Sequence, residues 1–339
     1  MSKDQSGDSV VSILRWAKIS MISFCCLILA ILVAGAMYQQ IASANDKVEF
    51  PMPGSLVEVR GVKLHIHCTG PTSSSPSVIL IPGMGSISSA WENVQKPLSK
   101  NWRTCSYDRD GLGWSEDSGQ VRDVDIAADR LNQLLTSMKI SPPFILVGHS
   151  YGGMVARVFA DEYPEKVSGL VLVDSAHQDM GERFGPEAQA GFKSLLNSFN
   201  IAYFAHFSGF LRAVNAMAPA IDGLSGYSWQ LSMSKLNTSQ HMYGSAQEAE
   251  GWNRSAARTR EITSLGQLPL SVFVALEWPE FMLPEWKVMQ QELASLSSRG
   301  TVNFVEGANH SQVVMQSKYA LEVVAEIESI ISIRSKPLP

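Results

Sequence analysis

The stretch Val147-Gly148-His149-Ser150-Tyr151-Gly152-Gly153 sets a serine in a G-x-S-x-G pattern, after the apolar run Phe144-Ile145-Leu146 and before the helix-like MVARVFADEYPEK. A serine hydroxyl is a weak nucleophile until a base takes its proton, and the base needs an acid to orient it. The turn must also be tight, so that Oγ projects above a sheet. Gly148 and Gly152 remove side chains that would collide there, and Gly153 allows closer packing. A helix N-terminus just beyond adds unpaired N–H groups and a positive dipole end, which suit a developing oxyanion. Ser150 is therefore the candidate nucleophile, against the plainer reading of a small residue in a glycine turn. A phosphate loop or a dinucleotide fingerprint would need G-K-[ST] or G-x-G-x-x-G, and neither is here.

The base is expected in a loop after the last strand, where VEGANHSQVV supplies His310. The other histidines have plainer places: His65 and His67 alternate with Leu64 and Ile66, His149 belongs to the serine turn, and His206 and His241 fall among helices. His177 follows the candidate acid too closely to be preferred. That acid is Asp174, at the end of GLVLVD, with Glu277 and Glu280 after SVFVAL as alternatives; the order Ser, acid, His holds for all three. The oxyanion needs two donors, expected from the N–H of Tyr151 and from the loop after the third strand, where Ile-Pro-Gly-Met-Gly-Ser offers Met84 N–H. No metal or organic cofactor is required.

These residues must be held by strands alternating with helices. SLVEVRGVKLHIHCTG alternates about Arg60-Gly61 as a hairpin. SVILIPG, PPFILVGHS and VSGLVLVDS are continuous apolar strands of the buried parallel kind. Asp123 can cap a helix through IAADRLNQLLTSMK. From His177 to Leu268 there is no clear strand, only helical pieces rich in large apolar groups; then the alternation resumes with LPLSVFVAL, TVNFV and a helix from about Gln316 to Ile331. A long helical insertion between parallel strands is naturally a cap over the sheet edge. Within it, Phe199, Tyr203, Phe204 and Phe207 are candidates for substrate contact.

At 339 residues one domain with an insertion is the simplest organisation. The net charge of -5 is spread out, with no basic block, which excludes nucleic acid as an expected partner. Ile19 to Met37 carries no charge and follows Lys3, Arg15 and Lys18, so it has the length of a membrane span with its N-terminal side cytoplasmic. Ala42-Ser43-Ala44 has the small-x-small form of a cleavage site, but the apolar run is longer than a cleaved signal uses, which favours an uncleaved anchor. The expected plan is a tail at 1–18, a span or signal at 19–38, a polar linker at 39–53, a core at 54–176 and 266–335, and a cap at 177–265. The domain is expected outside the cytoplasm, membrane-anchored, or secreted or periplasmic if cut after Ala44. Cys68 and Cys105 sit in strand-like runs in a compartment where disulfides persist, with lone buried thiols as the alternative.

Together LIPGMGS, YDRDGLGWSE, LVGHSYGGMVA, LVLVDSAH and ANHS resemble the α/β-hydrolase superfamily over Leu56 to Ile331, and most resemble its exported or membrane-associated bacterial members. The resemblance implies a mostly parallel eight-stranded sheet with helices on both faces. Two features depart from the pattern: Pro82 stands where a histidine is usual, and the G-x-x-D expected after the seventh strand is missing from VFVALEWPE. The second departure moves the acid toward Asp174. In the superfamily's fold the hairpin's second strand runs antiparallel to the fourth, which implies a Cys68–Cys105 disulfide. The implied activity is cleavage of an apolar carboxylic ester through an acyl-enzyme. Amide, peptide or carbon–carbon hydrolysis is an alternative, as is a non-catalytic membrane-anchored binding protein on the same fold. Dehalogenase and epoxide-hydrolase relatives attack with Asp, so a serine here argues against both.

Overall fold

The computed structural model describes residues 5–334. Eight strands form one sheet: β1 Ser55–Val59, β2 Val62–Thr69, β3 Ser77–Ile81, β4 Thr104–Tyr107, β5 Phe144–His149, β6 Val167–Val173, β7 Leu270–Ala275 and β8 Gly300–Val305. Their order is β1-β2-β4-β3-β5-β6-β7-β8, with β2 antiparallel to both its neighbours and every pairing from β4 to β8 parallel. β3, β5 and β7 are buried throughout. Such strands need apolar side chains on both faces, which is why SVILI and LSVFVA show no polar alternation.

Helix α1 spans Gln5–Glu49; α2 Glu92–Leu98, α3 Val124–Ser137 and α4 Tyr151–Glu162 lie between the strands. Between β6 and β7 come α5 Met180–Arg183, α6 Gly185–His206, α7 Phe210–Ala213, α8 Gly226–Leu236, α9 Ser239–Glu250 and α10 Trp252–Arg260. The last described helices are α11 Leu283–Ser295, α12 Gln312–Met315 and α13 Ser317–Arg334. Side chains alternate across the sheet, so Ile79 and Ile81 join one core with Leu134 of α3, Phe159 of α4 and Trp286 of α11. Val78 and Leu80 join the other, with Trp91, Val94 of α2 and Val323 of α13. Asp123 caps α3, its side chain accepting from Ile126 N at 3.1 Å.

Cys68 and Cys105 are register partners across β2 and β4 and are joined by a disulfide. The alternative of two lone thiols does not describe this pair.

One expectation needs correcting. The stretch 39–53, read as a polar linker, continues α1 as helix to Glu49. No glycine or proline interrupts it between Gly35 and Pro51, and the polar side chains that suggested a linker are used as contacts. Gln39 donates to Asn237 O at 2.6 Å, and Arg212 of α7 reaches Gln39 Oε1 at 3.0 Å, Ser43 Oγ at 3.2 Å and Asp46 Oδ2 at 2.5 Å. Helix α1 is long and apolar enough to cross a membrane, with a mean hydropathy of 2.6 in its most apolar window, which is nowhere buried by the rest of the chain. Lys3, counted in the charge asymmetry, and position 335, the expected end of the core, lie outside the described residues.

Candidate active site

Strand β5 ends at His149, and the chain turns into α4 through Ser150 with φ 51° and ψ -123°. A side chain at positive φ is strained, so neighbouring bonds must hold it. Ser150 N donates to Val173 O at 3.2 Å, and Ser150 O accepts from Gly153 N at 2.9 Å and Ala176 N at 3.0 Å. Gly152 is required by close approach: a Cβ there would lie 2.2 Å from Ile81 O. The turn is thus wedged between the ends of β3 and β6, and Ser150 stands above the carboxyl edge of the sheet, where open α/β sheets place their ligands.

His310 follows β8 and reaches back along that edge, its Nδ1 2.6 Å from Asp174 Oδ2. Asp174 follows β6, is fully buried, and has φ 43°. Burying a carboxylate is costly unless its lone pairs are filled, and here they are. Oδ1 accepts from Ala275 N at 3.0 Å and Trp286 Nε1 at 2.9 Å, and Oδ2 accepts from Trp278 Nε1 at 3.3 Å besides facing the imidazole. Glu277 and Glu280, the alternative acids, are exposed and make no side-chain hydrogen bond to a described residue. The segment Glu277-Trp278 therefore brings a donor to Asp174 instead of a second carboxylate.

His149, read only as part of the turn, has a place of its own. Its Nε2 lies 2.8 Å from His310 O, and the two rings are 4.6 Å apart. Burial, and then the charge of His310, push its pKa down to about 3, so it is neutral near pH 7 and donates to the His310 carbonyl. His177 sits apart from the cavity, facing Glu292 at 3.2 Å, with its pKa pushed down by burial to about 4.

The loop after β3 carries Met84. Met84 N–H and Tyr151 N–H have no acceptor among the described residues, and both residues line the cavity that holds Ser150 and His310. The loop is braced from below by Arg109, whose guanidinium donates to Pro82 O at 2.5 Å and Gly83 O at 2.6 Å. Arg109 is held in turn by Glu248 of α9, Nε to Oε1 at 2.5 Å, and Glu248 Oε2 also accepts from Gly85 N at 2.9 Å. Both partners are buried. Sequence reading did not find this brace, since its members are 139 positions apart.

The cavity measures about 290 Å³. Its floor is Gly83, Met84, Ser150, Tyr151 and His310, and its roof comes from the helices between β6 and β7, through Phe192, Leu196, Phe199 and Trp252. Of the side chains expected to contact substrate, Phe199 lines it and Tyr203, Phe204 and Phe207 do not. For Phe204 and Phe207 the reason is helical phase, since 192, 196 and 199 form one stripe of α6. Tyr203, the next member, stacks on His206 and lies 5.3 Å from the tilted ring of Tyr243 instead, and Phe204 and Phe207 point outward. Among the described residues no cluster of His, Cys, Asp or Glu could hold a metal ion.

Comparison with known proteins gives three kinds of match. The sequence model of the alpha/beta hydrolase fold matches residues 76–260, more than half of the chain. Among curated relatives, the uncharacterized protein YbdG of Bacillus subtilis is 27% identical over 159 residues, covering 46% of this chain and 48% of that protein. Human monoacylglycerol lipase ABHD6 is 35% identical over 106 residues, covering 31% of this chain and 32% of that protein. The chain spans less than half the length of these relatives. Among solved structures, a thermophilic esterase from Thermogutta terrifontis superposes with a TM-score of 0.62 at 20% identity, covering 82% of this chain and 99% of that one, which is a likeness of fold.

Proposed function

The chain belongs to the α/β-hydrolase family, and from that premise we propose that it is a serine hydrolase cleaving apolar carboxylic esters through an acyl-enzyme. The observation that carries this reading is the 2.6 Å contact between His310 Nδ1 and the buried Asp174, at the edge of a cavity that both His310 and Ser150 line. Asp174 fixes the proton on Nδ1, which leaves Nε2 as the basic nitrogen. Nε2 takes the proton of Ser150 as Oγ attacks the ester carbonyl, and the tetrahedral oxyanion is received by the N–H groups of Met84 and Tyr151. Collapse expels the alkoxide, which takes the proton from Nε2. Water, deprotonated by the same nitrogen, then frees the acid and restores Ser150.

The apolar roof of Phe192, Leu196, Phe199 and Trp252 favours a hydrophobic acyl or alcohol part. We assign the domain to the extracytoplasmic side of a membrane crossed by α1, since Arg15 and Lys18 precede the apolar run and a Cys68–Cys105 disulfide suits an oxidising compartment. Cleavage after Ala44 would remove Gln39 and Ser43 from their contacts with Arg212, which supports an uncleaved anchor.

A fluorophosphonate probe tests the activity. The wild-type chain labels and Ser150→Ala does not; absence of labelling on folded wild type would refute acyl transfer. A series of p-nitrophenyl esters of increasing chain length then reports the substrate class.

A further inference from the structure

Helix α6, with the turn and short helix α7 that follow it, carries two apolar surfaces in succession. Its first part roofs the cavity through Phe192, Leu196 and Phe199. Beyond that, Ile201, Phe204, Phe207, Phe210 and Val214 turn outward and are 47 to 70% exposed. They include a connected aromatic group, the ring of Tyr203 lying 5.2 Å from Phe204 and 5.6 Å from Phe207. Single exposed apolar residues need no explanation, but a group of this size marks a contact surface. Between Lys193 and Asp222 the only Lys, Arg, Asp or Glu is Arg212, and Asp46 of α1 pairs with it at 2.5 Å. His206 in the same stretch is buried and bonded to Tyr203 O and Ser239. The surface is therefore aromatic, aliphatic and without net charge.

Its neighbour is α1. Trp16 and Tyr38 flank the apolar run of that helix, about 22 residues and so about 33 Å apart, close to the thickness of a bilayer's hydrocarbon core. Both are exposed, in the places where membrane proteins keep aromatic rings at the two interfaces. The turn leading into α7 meets α1 inside this run. Gly35 and Gly209 pack backbone to backbone: a Cβ on Gly35 would lie 1.9 Å from Ser208 O, and one on Gly209 2.5 Å from Gly35 O. Gly35 is about one turn, roughly 4.5 Å, deeper than Tyr38. With the helix continuous to Glu49 and Arg212 bonded to it, the domain has no slack that would let this surface stand away from a membrane that α1 crosses.

We propose that Ile201, Phe204, Phe207, Phe210 and Val214 are seated in the headgroup and upper acyl region of the phospholipid bilayer crossed by α1. A protein partner of comparable affinity would be expected to meet charged or hydrogen-bonding groups at the rim, and this stretch offers none unpaired among its charged residues. A bilayer asks only for apolar area beside a span, which this surface supplies. Because α6 runs from the bilayer to the cavity roof, and Leu195 both lines the cavity and is exposed, esters dissolved in the membrane reach Ser150 along this helix. That last clause rests on the ester-hydrolase reading; the seating does not.

The test uses the full chain with Cys25→Ser and Cys26→Ser, reconstituted in phosphatidylcholine vesicles. Phe204→Cys, Phe210→Cys and, as a control at an exposed position of α13, Leu321→Cys are each labelled with an environment-sensitive fluorophore. Seating predicts strong quenching at 204 and 210 by lipids carrying a nitroxide near the headgroup, at least threefold above that at 321, with little quenching by iodide. Iodide access at 204 and 210 equal to that at 321, or protection only after a second protein is added, would overturn it. Gly35→Leu, which forces the Ser208 turn off α1, should raise iodide access at 210. The triple change of Phe204, Phe207 and Phe210 to Ser should lower hydrolysis of a long-chain ester in vesicles at least tenfold while turnover of a short soluble ester stays within twofold. Equal turnover of both esters by wild type and triple variant would end the delivery role. A wild type that hydrolyses neither ester would refute the ester reading and leave the quenching result to decide the seating.

Discussion

The floor and the roof of the cavity are made in opposite ways. The floor is held by directed polar contacts: Asp174 has its four contacts, His149 holds the His310 carbonyl, and Arg109 grips the carbonyls before Met84. The roof is a stripe of α6 with Trp252 that meets the cavity through apolar side chains, and α6 goes on to expose large side chains. Hydrogen bonds impose distance and direction, whereas apolar packing imposes volume. The floor should therefore fail sharply when one atom changes, and the roof should yield gradually.

The sharpest break is expected at the carboxylate. Asp174→Asn keeps the shape and replaces an acceptor facing His310 Nδ1–H by an amide that can present a donor. Turnover should fall by about four orders of magnitude in steady-state assays. Glu277→Gln, on an exposed side chain a few positions past β7, should stay within about twofold. A large loss in Glu277→Gln with near-normal Asp174→Asn would move the acid and dissolve the contrast.

A smaller effect is expected at the brace. Glu248→Gln leaves the buried Arg109 without a counter-charge and loosens the loop that presents Met84 N–H. Leaving one buried partner unpaired costs about 3–5 kcal/mol of stability. If the loop's position matters, kcat should drop about tenfold or more while KM changes little, since the oxyanion contact belongs to the transition state. Replacing Arg109 and Glu248 together by Met should recover part of the stability, read by thermal melting, but not the kcat. Recovery of both would make the pair a stabilising element with no positioning role.

How far the sequence could be read follows the same division. Ser150, His310 and Asp174 could be named as candidates because a serine in a glycine turn, a late histidine and a strand-ending acid are local patterns, and the buried strands around them are continuous apolar runs. The choice among three carboxylates was not legible from spacing. It depends on which one Trp278, Trp286 and Ala275 surround, and those contacts span about a hundred positions. The Arg109–Glu248 brace was hidden for the same reason. On the roof, counting aromatic residues suggested four contacts, whereas helical phase admits Phe199 and turns Phe204 and Phe207 away. The helix to Glu49 was read as a linker because its polar side chains look solvent-facing until Arg212, 166 positions away, is placed beside Asp46.

The mildest effect is expected on the roof itself. Phe199 touches the cavity and also approaches the donor loop, its ring lying where a Cβ on Gly85 would meet it at 3.0 Å. Phe199→Ala removes apolar wall without touching any hydrogen bond of the floor. The loss should fall on substrates that use that wall: kcat/KM for a long-acyl p-nitrophenyl ester should drop about tenfold, which is about 1.4 kcal/mol of lost apolar contact, and that for the acetate should change by less than about threefold. An equal fall for both esters would mean that Phe199 supports the Met84 loop, and that roof and floor are one mechanical unit. A fall for the long ester alone would mean that the roof selects the substrate while the floor carries out the reaction.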